Sequence, residues 1–198
     1  MMKKTTHLTL ILFITIGLFG FSTLVKDNYQ LDVGHTYIGF DVERFLVGEV
    51  SGRFNDFEAT IQMDGDDFTT LEMDATIKVA SIDSNNKTRD GHLKAPIWLD
   101  EANHPEIKFK STSVEKNGNS YTMKGDFTIK GITKQVEFPI VFKGPFVDPT
   151  GSNTIGIQAD FTINRFDYGI NLSKKLKDGS YFIGEDVKIK IRALAIKK

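Results

Sequence analysis

Arg89, Asp90 and His92 fall within four consecutive residues, a cation, a carboxylate and an imidazole close enough to work as hydrogen-bond donors or as an acid–base group. As function, the cluster would meet the polar head of a ligand, with Arg89 or His92 donating to a carbonyl or hydroxyl. As structure, Arg89 and Asp90 would tie a short helix to a strand and His92 would cap a backbone carbonyl. Both readings stay open. Elsewhere the chemistry thins. His35, His92 and His104 are the histidines beyond the N-terminal region, and no two share a metal-binding spacing. Glu101 and His104 match the Glu-x-x-His of carboxylate-bridged metal sites, which need further copies on facing helices, so one copy before Pro105 reads as coincidence. Asp64-Gly65-Asp66-Asp67 looks like a calcium loop, yet position twelve is Ala75 instead of a bidentate Glu, so a hairpin turn is the reading. There is no Gly-x-Ser-x-Gly, no phosphate loop and no dinucleotide fingerprint. No catalytic residue, metal or cofactor is therefore expected.

The elements that must position these residues follow from a chain of 198 residues with 40% hydrophobic residues, 16 Phe, one Trp and no Cys. That is enough apolar material for one domain with a sizeable core. The 25 basic and 26 acidic residues give no surplus for phosphate neutralisation, which argues against a nucleic-acid partner. Lys3 and Lys4 precede the apolar run Leu8 to Phe21. This reads as a signal peptide over residues 1–22, cleaved near Ser22–Thr23, since the run is shorter than the roughly 20 residues of a membrane-spanning helix. No cysteine stands at that point for a lipoprotein anchor. The expected compartment is the periplasm or the exterior, and the folded domain must be stable without disulfides.

Beyond the leader the pattern has period two. Ile38, Phe40 and Val42 alternate with polar or small residues, as do Leu71, Met73, Ala75, Ile77 and Val79, and the same phase runs through Tyr121 to Ile129, Val136 to Phe142, Ile155 to Ile163 and Val187 to Ala193. Around eight half-buried strands are predicted, joined by turns at Gly65, Gly118, Gly151 and Gly179, hence mostly antiparallel hairpins. The glycines in strand phase, Gly39, Gly52, Gly125 and Gly156, mark bends or close backbone approaches. Alternation stops between Ser84 and Pro105, where a short helix near residues 86 to 94 precedes an irregular segment with Ile97, Trp98 and Leu99. Eight antiparallel strands lose their edges by closing into a barrel, and a two-sheet sandwich fits the count nearly as well. The helical segment, as a lid or plug over an open end, favours the barrel.

The residues also carry a resemblance. Asp83-Ser84 and Arg89-Asp90-Gly91-His92-Leu93, followed by His104-Pro105-Glu106-Ile107-Lys108-Phe109, resemble the central motif of the YceI family. Gly125-Asp126-Phe127-Thr128-Ile129-Lys130-Gly131, Asn164-Arg165-Phe166-Asp167-Tyr168-Gly169 and the opening Tyr29-Gln30-Leu31-Asp32 match further family segments in the family's order. Residues 28–196 are thus identified as a YceI-like lipid-binding domain. Thr36 stands where the family often has Ser, and Ile97-Trp98-Leu99-Asp100 replaces a usual Phe-rich stretch, which touches the lid. The resemblance implies an all-β fold, an extended eight-stranded antiparallel lipocalin-like β-barrel with a short helical lid. It also implies a hydrophobic tunnel that holds a polyisoprenoid, an isoprenoid quinone or a fatty amide, and subunits that form homodimers.

Phe40, Phe54, Phe109, Phe127, Phe138, Phe142 and Phe161 sit on the apolar phase of their strands. They line such a tunnel or simply fill a core. With Trp98 they are the candidate lining residues, Arg89, Asp90, His92 and Leu93 the candidate head-group or lid residues, and Arg165 and Tyr168 the candidate rim. The expected function is a non-catalytic carrier or reservoir of a hydrophobic lipid. An enzyme acting on that lipid through Arg89, Asp90 and His92 is the alternative, and a structural protein with a filled barrel the third reading. Lys174-Lys175-Leu176-Lys177 is a solvated loop or a transient contact with anionic lipid headgroups.

Overall fold

The computed structural model describes residues 26–172 and 174–198. The expected signal peptide at 1–22 and its cleavage point lie outside the described residues. The strands are β1 (Asp27–Leu31), β2 (Tyr37–Arg44), β3 (Gly48–Phe54), β4 (Phe57–Asp64), β5 (Asp67–Lys78), β6 (Ile82–Asp83), β7 (Glu106–Asn117), β8 (Ser120–Ile129), β9 (Ile132–Val147), β10 (Asn153–Asn164) and β11 (Ile183–Lys197), with one α-helix, α1 (Lys87–Lys94).

Six of these are halves of three longer strands. β1 and β2 both pair with β11, and the 3₁₀ turn Val33–His35 breaks them apart. Asp32 fixes that break: its carboxylate accepts from the His35 amide at 3.2 Å, and its carbonyl accepts from the Thr36 hydroxyl at 2.7 Å. β3 and β4 pair with β2 and β1 in turn, and β6 continues β5 beyond a second 3₁₀ turn at Val79–Ser81. The result is eight antiparallel strands in up-and-down order. β1 closes the ring onto β11 through Tyr29↔Lys197, Gln30↔Ile196 and Leu31↔Ala195. A sandwich is excluded, since closure leaves no pair of separate sheets.

Turn glycines stand where the sequence places them: Gly65, Gly118, Gly151 and Gly179 all have positive φ. Asp67 finishes the first of these turns by accepting from the Thr69 amide and hydroxyl at 2.9 and 2.7 Å, which is hairpin chemistry. Three of the strand glycines are close approaches, the tightest being Gly39, where a Cβ would stand 2.3 Å from the Tyr37 hydroxyl. A Cβ on Gly52 would stand 2.4 Å from the Phe40 ring, and one on Gly125 would stand 2.6 Å from the Phe109 ring. Gly156 lies at a register shift between β10 and β9, a bulge that bends the wall.

Alternation turns one face of every strand inward, and the interior divides into two parts. At one end Tyr29, Ile61, Met63, Phe68, Met123, Phe138, Ile155 and Ile157 pack into a filled core, several of them with 2% exposure or less. At the other, Phe40, Phe54, Ile77, Val79, Ile107, Phe127, Ile163 and Tyr168 form a second cluster, against which Leu93, Trp98 and Leu99 pack from outside the strands. These two clusters correspond to a closed end and an open end.

Candidate functional site

The open end holds a cavity of about 570 Å³, within the range of ordinary small-molecule sites. Its walls are Phe40, Phe54 and Phe127 with Ile38, Ile77, Ile107, Ile129, Ile163 and Ile189. Polar residues gather at one side, where Glu43 and Arg44 at the end of β2 face Asn86, Thr88, Arg89 and His92 at the start and middle of α1. An apolar chamber with a polar mouth suits an amphiphile whose tail enters first.

The lid forms because Asn86 caps α1, its side-chain oxygen accepting from the Arg89 amide at 3.0 Å. After Lys94 the chain folds back in tight turns: Trp98 N–H donates to the Ala95 carbonyl at 2.9 Å, Leu99 to Leu93 at 3.1 Å and Glu101 to Lys94 at 3.0 Å. Leu93, Trp98 and Leu99 then hang over the cavity. No α1 residue is fully buried, so the lid rests on the barrel through a few side chains. Lys130 steadies it from below by donating to the Pro96 carbonyl at 2.8 Å.

Arg89 and Asp90 both act on Ser84. The Asp90 carboxylate accepts from the Ser84 amide at 2.9 Å and from its hydroxyl at 2.5 Å. Arg89 donates to that hydroxyl at 2.7 Å and to the Ser84 carbonyl at 2.5 Å. Ser84 is buried, so this small network ties the helix to β6. Arg89 nevertheless borders the cavity, as do His92 and Leu93, whereas Asp90 does not. Of the two readings of the cluster, the structural one describes Asp90, and Arg89 joins the same network while bordering the cavity.

Arg165 is 3% exposed and has no carboxylate within ion-pair distance among the described residues. Its donors go to backbone carbonyls: Nε to Gly184 at 2.9 Å, Nη2 to Leu172 at 2.7 Å and Ile183 at 3.1 Å, and Nη1 to Ile170. Burial pulls its pKa down from the usual arginine value. The guanidinium thus binds the irregular segment after β10 to the start of β11, and it lies 5.9 Å from the Trp98 ring centroid and 4.4 Å from that of Phe166. Tyr168, 2% exposed, has its phenol pushed up to about 12, by burial first and by neighbouring Asp167 second. Arg165 and Tyr168 both line the cavity.

The candidate lining residues divide. Phe40, Phe54, Phe127 and Trp98 stand on the cavity wall, and Phe109, Phe138, Phe142 and Phe161 do not. The cavity thus brings together four of the eight candidate lining residues, and the other four pack among themselves and with Phe68. Phe138 stacks on Phe161 with centroids 4.1 Å apart, Phe142 on Phe68 at 4.5 Å, and Phe109 lies 5.7 Å from Phe138. The sequence reading missed Ile170, Leu172, Phe182 and Ile183, which line the cavity from a stretch without alternation. The run Tyr181-Phe182-Ile183 was the available signal. His104 stands near Asp100 at 4.0 Å and against Gly131, away from any third ligand-type side chain among the described residues.

The comparisons agree with this architecture. A UPF0312 protein of Staphylococcus aureus (strain N315) is 36% identical over 167 residues, covering 84% of this chain and 95% of its own. The crystal structure of Burkholderia cenocepacia BcnA superposes with a TM-score of 0.72 at 22% identity, over 83% of this chain and 98% of that one. A polyisoprenoid binding domain from Saccharophagus degradans does so with a TM-score of 0.65 at 13% identity, over 86% and 98%. At those identities the two structures bear on the fold alone. The family model described as YceI-like domain matches residues 29–195, nearly the whole barrel, and the chain belongs to the YceI family.

Proposed function

We propose that this chain is an exported, non-catalytic carrier or reservoir for an isoprenoid or related amphiphilic lipid, held tail-first in the cavity. The observation that carries this reading is the 570 Å³ chamber, walled mainly by apolar side chains with a few polar ones, Arg165 among them. Each methylene buried there contributes about 0.8 kcal/mol, so a tail of even ten or so carbons supplies ample drive. The Saccharophagus degradans neighbour, described as a polyisoprenoid binding domain, supports the ligand class. The leader read in residues 1–22 supports the periplasm or the exterior as the compartment.

The mechanism is passive. The segment from Leu93 to Leu99 swings away, the tail threads past Phe40 and Phe54, and the head remains among Arg89, His92 and Arg44. Release at a membrane is supported by the hairpin tip beside the mouth. There Phe45 is 38% exposed, Leu46 50% and Val47 92%, and Phe45 packs on Phe182, over which Lys174 also lies. Exposed apolar residues next to cations suit an anionic bilayer surface. An enzymatic role finds less support, since Arg89 and Asp90 are engaged with Ser84.

Organic extraction of protein purified from its native host, followed by mass spectrometry, tests the reading. One lipid per chain is expected. An extract without stoichiometric lipid, together with no binding of added quinone or prenol, would overturn it.

A further inference from the structure

Resting on the carrier reading, we propose that Phe109, Phe127, Phe138 and Phe161 form a fixed floor that limits the bound tail to about twenty non-hydrogen atoms, four isoprene units if the tail is a prenyl chain. At roughly 30 Å³ per heavy atom, the share a water molecule takes in its liquid, a 570 Å³ cavity holds about that many. Of the four rings only Phe127 touches the cavity, so the other three stand directly behind it.

The floor spans four neighbouring strands, β7 to β10. Phe127 sits edge-on to Phe109 at 6.4 Å and to Phe161 at 6.3 Å, Phe109 is tilted against Phe138 at 5.7 Å, and Phe161 stacks on Phe138 with planes 9° apart. Every ring has at least two aromatic neighbours. Phe109 is also seated over Gly125, the one position where no side chain competes for its place. Behind the floor the core tightens toward the closed end. Ile61, Met63, Met123, Ile155 and Ile157 are all 2% exposed or less, and the Phe68–Phe142 stack occupies the closed end. A close-packed interior of this kind yields only if several side chains change rotamer together.

The experiment is a prenol series of two to eight isoprene units with one common head group, measured on the whole protein by native mass spectrometry and by displacement of a fluorescent fatty acid. Affinity should rise by tenfold or more per added unit, at about fourfold per buried methylene, until four units are reached. Beyond that it should stay level within about threefold, because further units remain in water. A rise continuing unbroken to eight units overturns the floor and leaves the carrier reading standing. Failure of every prenol and of the fatty acid overturns the carrier reading, and the floor with it. Phe161→Leu, at a partly exposed ring, is the milder floor variant and Phe138→Leu the stronger; either should move the break to longer chains. Phe142→Leu, in the closed end, should leave it where it is. An unmoved break in folded Phe161→Leu protein overturns the assignment of these rings.

Discussion

The ring of Phe109 lies across Gly125 on the neighbouring strand, so close that a Cβ there would fall 2.6 Å from the ring and 2.5 Å from the Lys110 carbonyl oxygen. The second contact is to backbone, which cannot swing aside. Gly125→Ala is therefore expected to destabilise the barrel by about 1–3 kcal/mol through overpacking. Thermal unfolding would show it, and a variant as stable as the parent would mean that β7 and β8 can slide apart at no cost.

Gly91 is the opposite case. It lies inside α1, and beyond its own neighbours and the helix backbone no heavy atom comes within 4 Å of the position a Cβ would take. Gly91→Ala should stabilise by about 0.4–1 kcal/mol by restricting the unfolded chain. Since it also stiffens the lid, exchange of bound lipid should slow; stopped-flow transfer to acceptor vesicles measures that directly.

Asp90→Ala leaves the buried Ser84 amide and hydroxyl without their carboxylate. A loss of about 1–3 kcal/mol is expected. Asp90 lies off the cavity wall, so lipid affinity at a temperature where the variant is folded should stay within twofold of the parent. A large affinity loss in folded protein would return Asp90 to the ligand site.

Arg165→Met removes a cation that satisfies four backbone carbonyls, and no neutral side chain of that shape replaces the donors. The cost should reach at least about 3 kcal/mol. Arg165→Lys is not a rescue, because an ammonium cannot fan its donors across Ile170, Leu172, Ile183 and Gly184. Chemical denaturation of the three proteins ranks them, with parent first and the two variants close together.

Glu106 joins the ends of β5 and β7 by accepting from Lys78 at 2.5 Å and from Lys108 at 2.9 Å. Those bonds, Lys78 first, hold its carboxyl down from 4.5 to about 2. A folded-state pKa below the unfolded one gives stability that is complete above pH 4.5 and is lost as pH falls through about 2. Glu106→Gln should flatten that part of the acid-denaturation curve, and an identical slope in both proteins would assign acid sensitivity to other carboxylates.

The strand phases were legible because a half-buried strand writes its two faces into alternate residues, from Ile38 through to Ala193. What stayed hidden is relational. Phe40 and Phe138 have the same phase, yet Phe40 faces Gly52 across the sheet and borders a cavity, whereas Phe138 faces Phe161 and fills one. Which residue stands opposite depends on register, which alternation alone does not fix. The breaks after Leu31 and Lys78 were hidden because the flanking halves keep their alternation. The Ile170 to Ile183 wall was hidden because it has none, being held by Arg165 and by only isolated pairings such as Lys175↔Tyr181 and Ile183↔Arg44.

The seam at Tyr29↔Lys197 joins the first strand to the last. Backbone and charge reinforce it, with the Lys198 amide donating to the Asn28 carbonyl at 2.9 Å and Lys197 meeting Asp27 at 2.6 Å. A ring built in sequence order can be completed only when its final residues are in hand, so this contact carries the longest loop-closure cost in the molecule. Until it forms, the barrel interior is not enclosed. On the carrier reading, closure of this seam is the step that separates a lipid taken up during folding from one that enters through the mouth of the finished barrel.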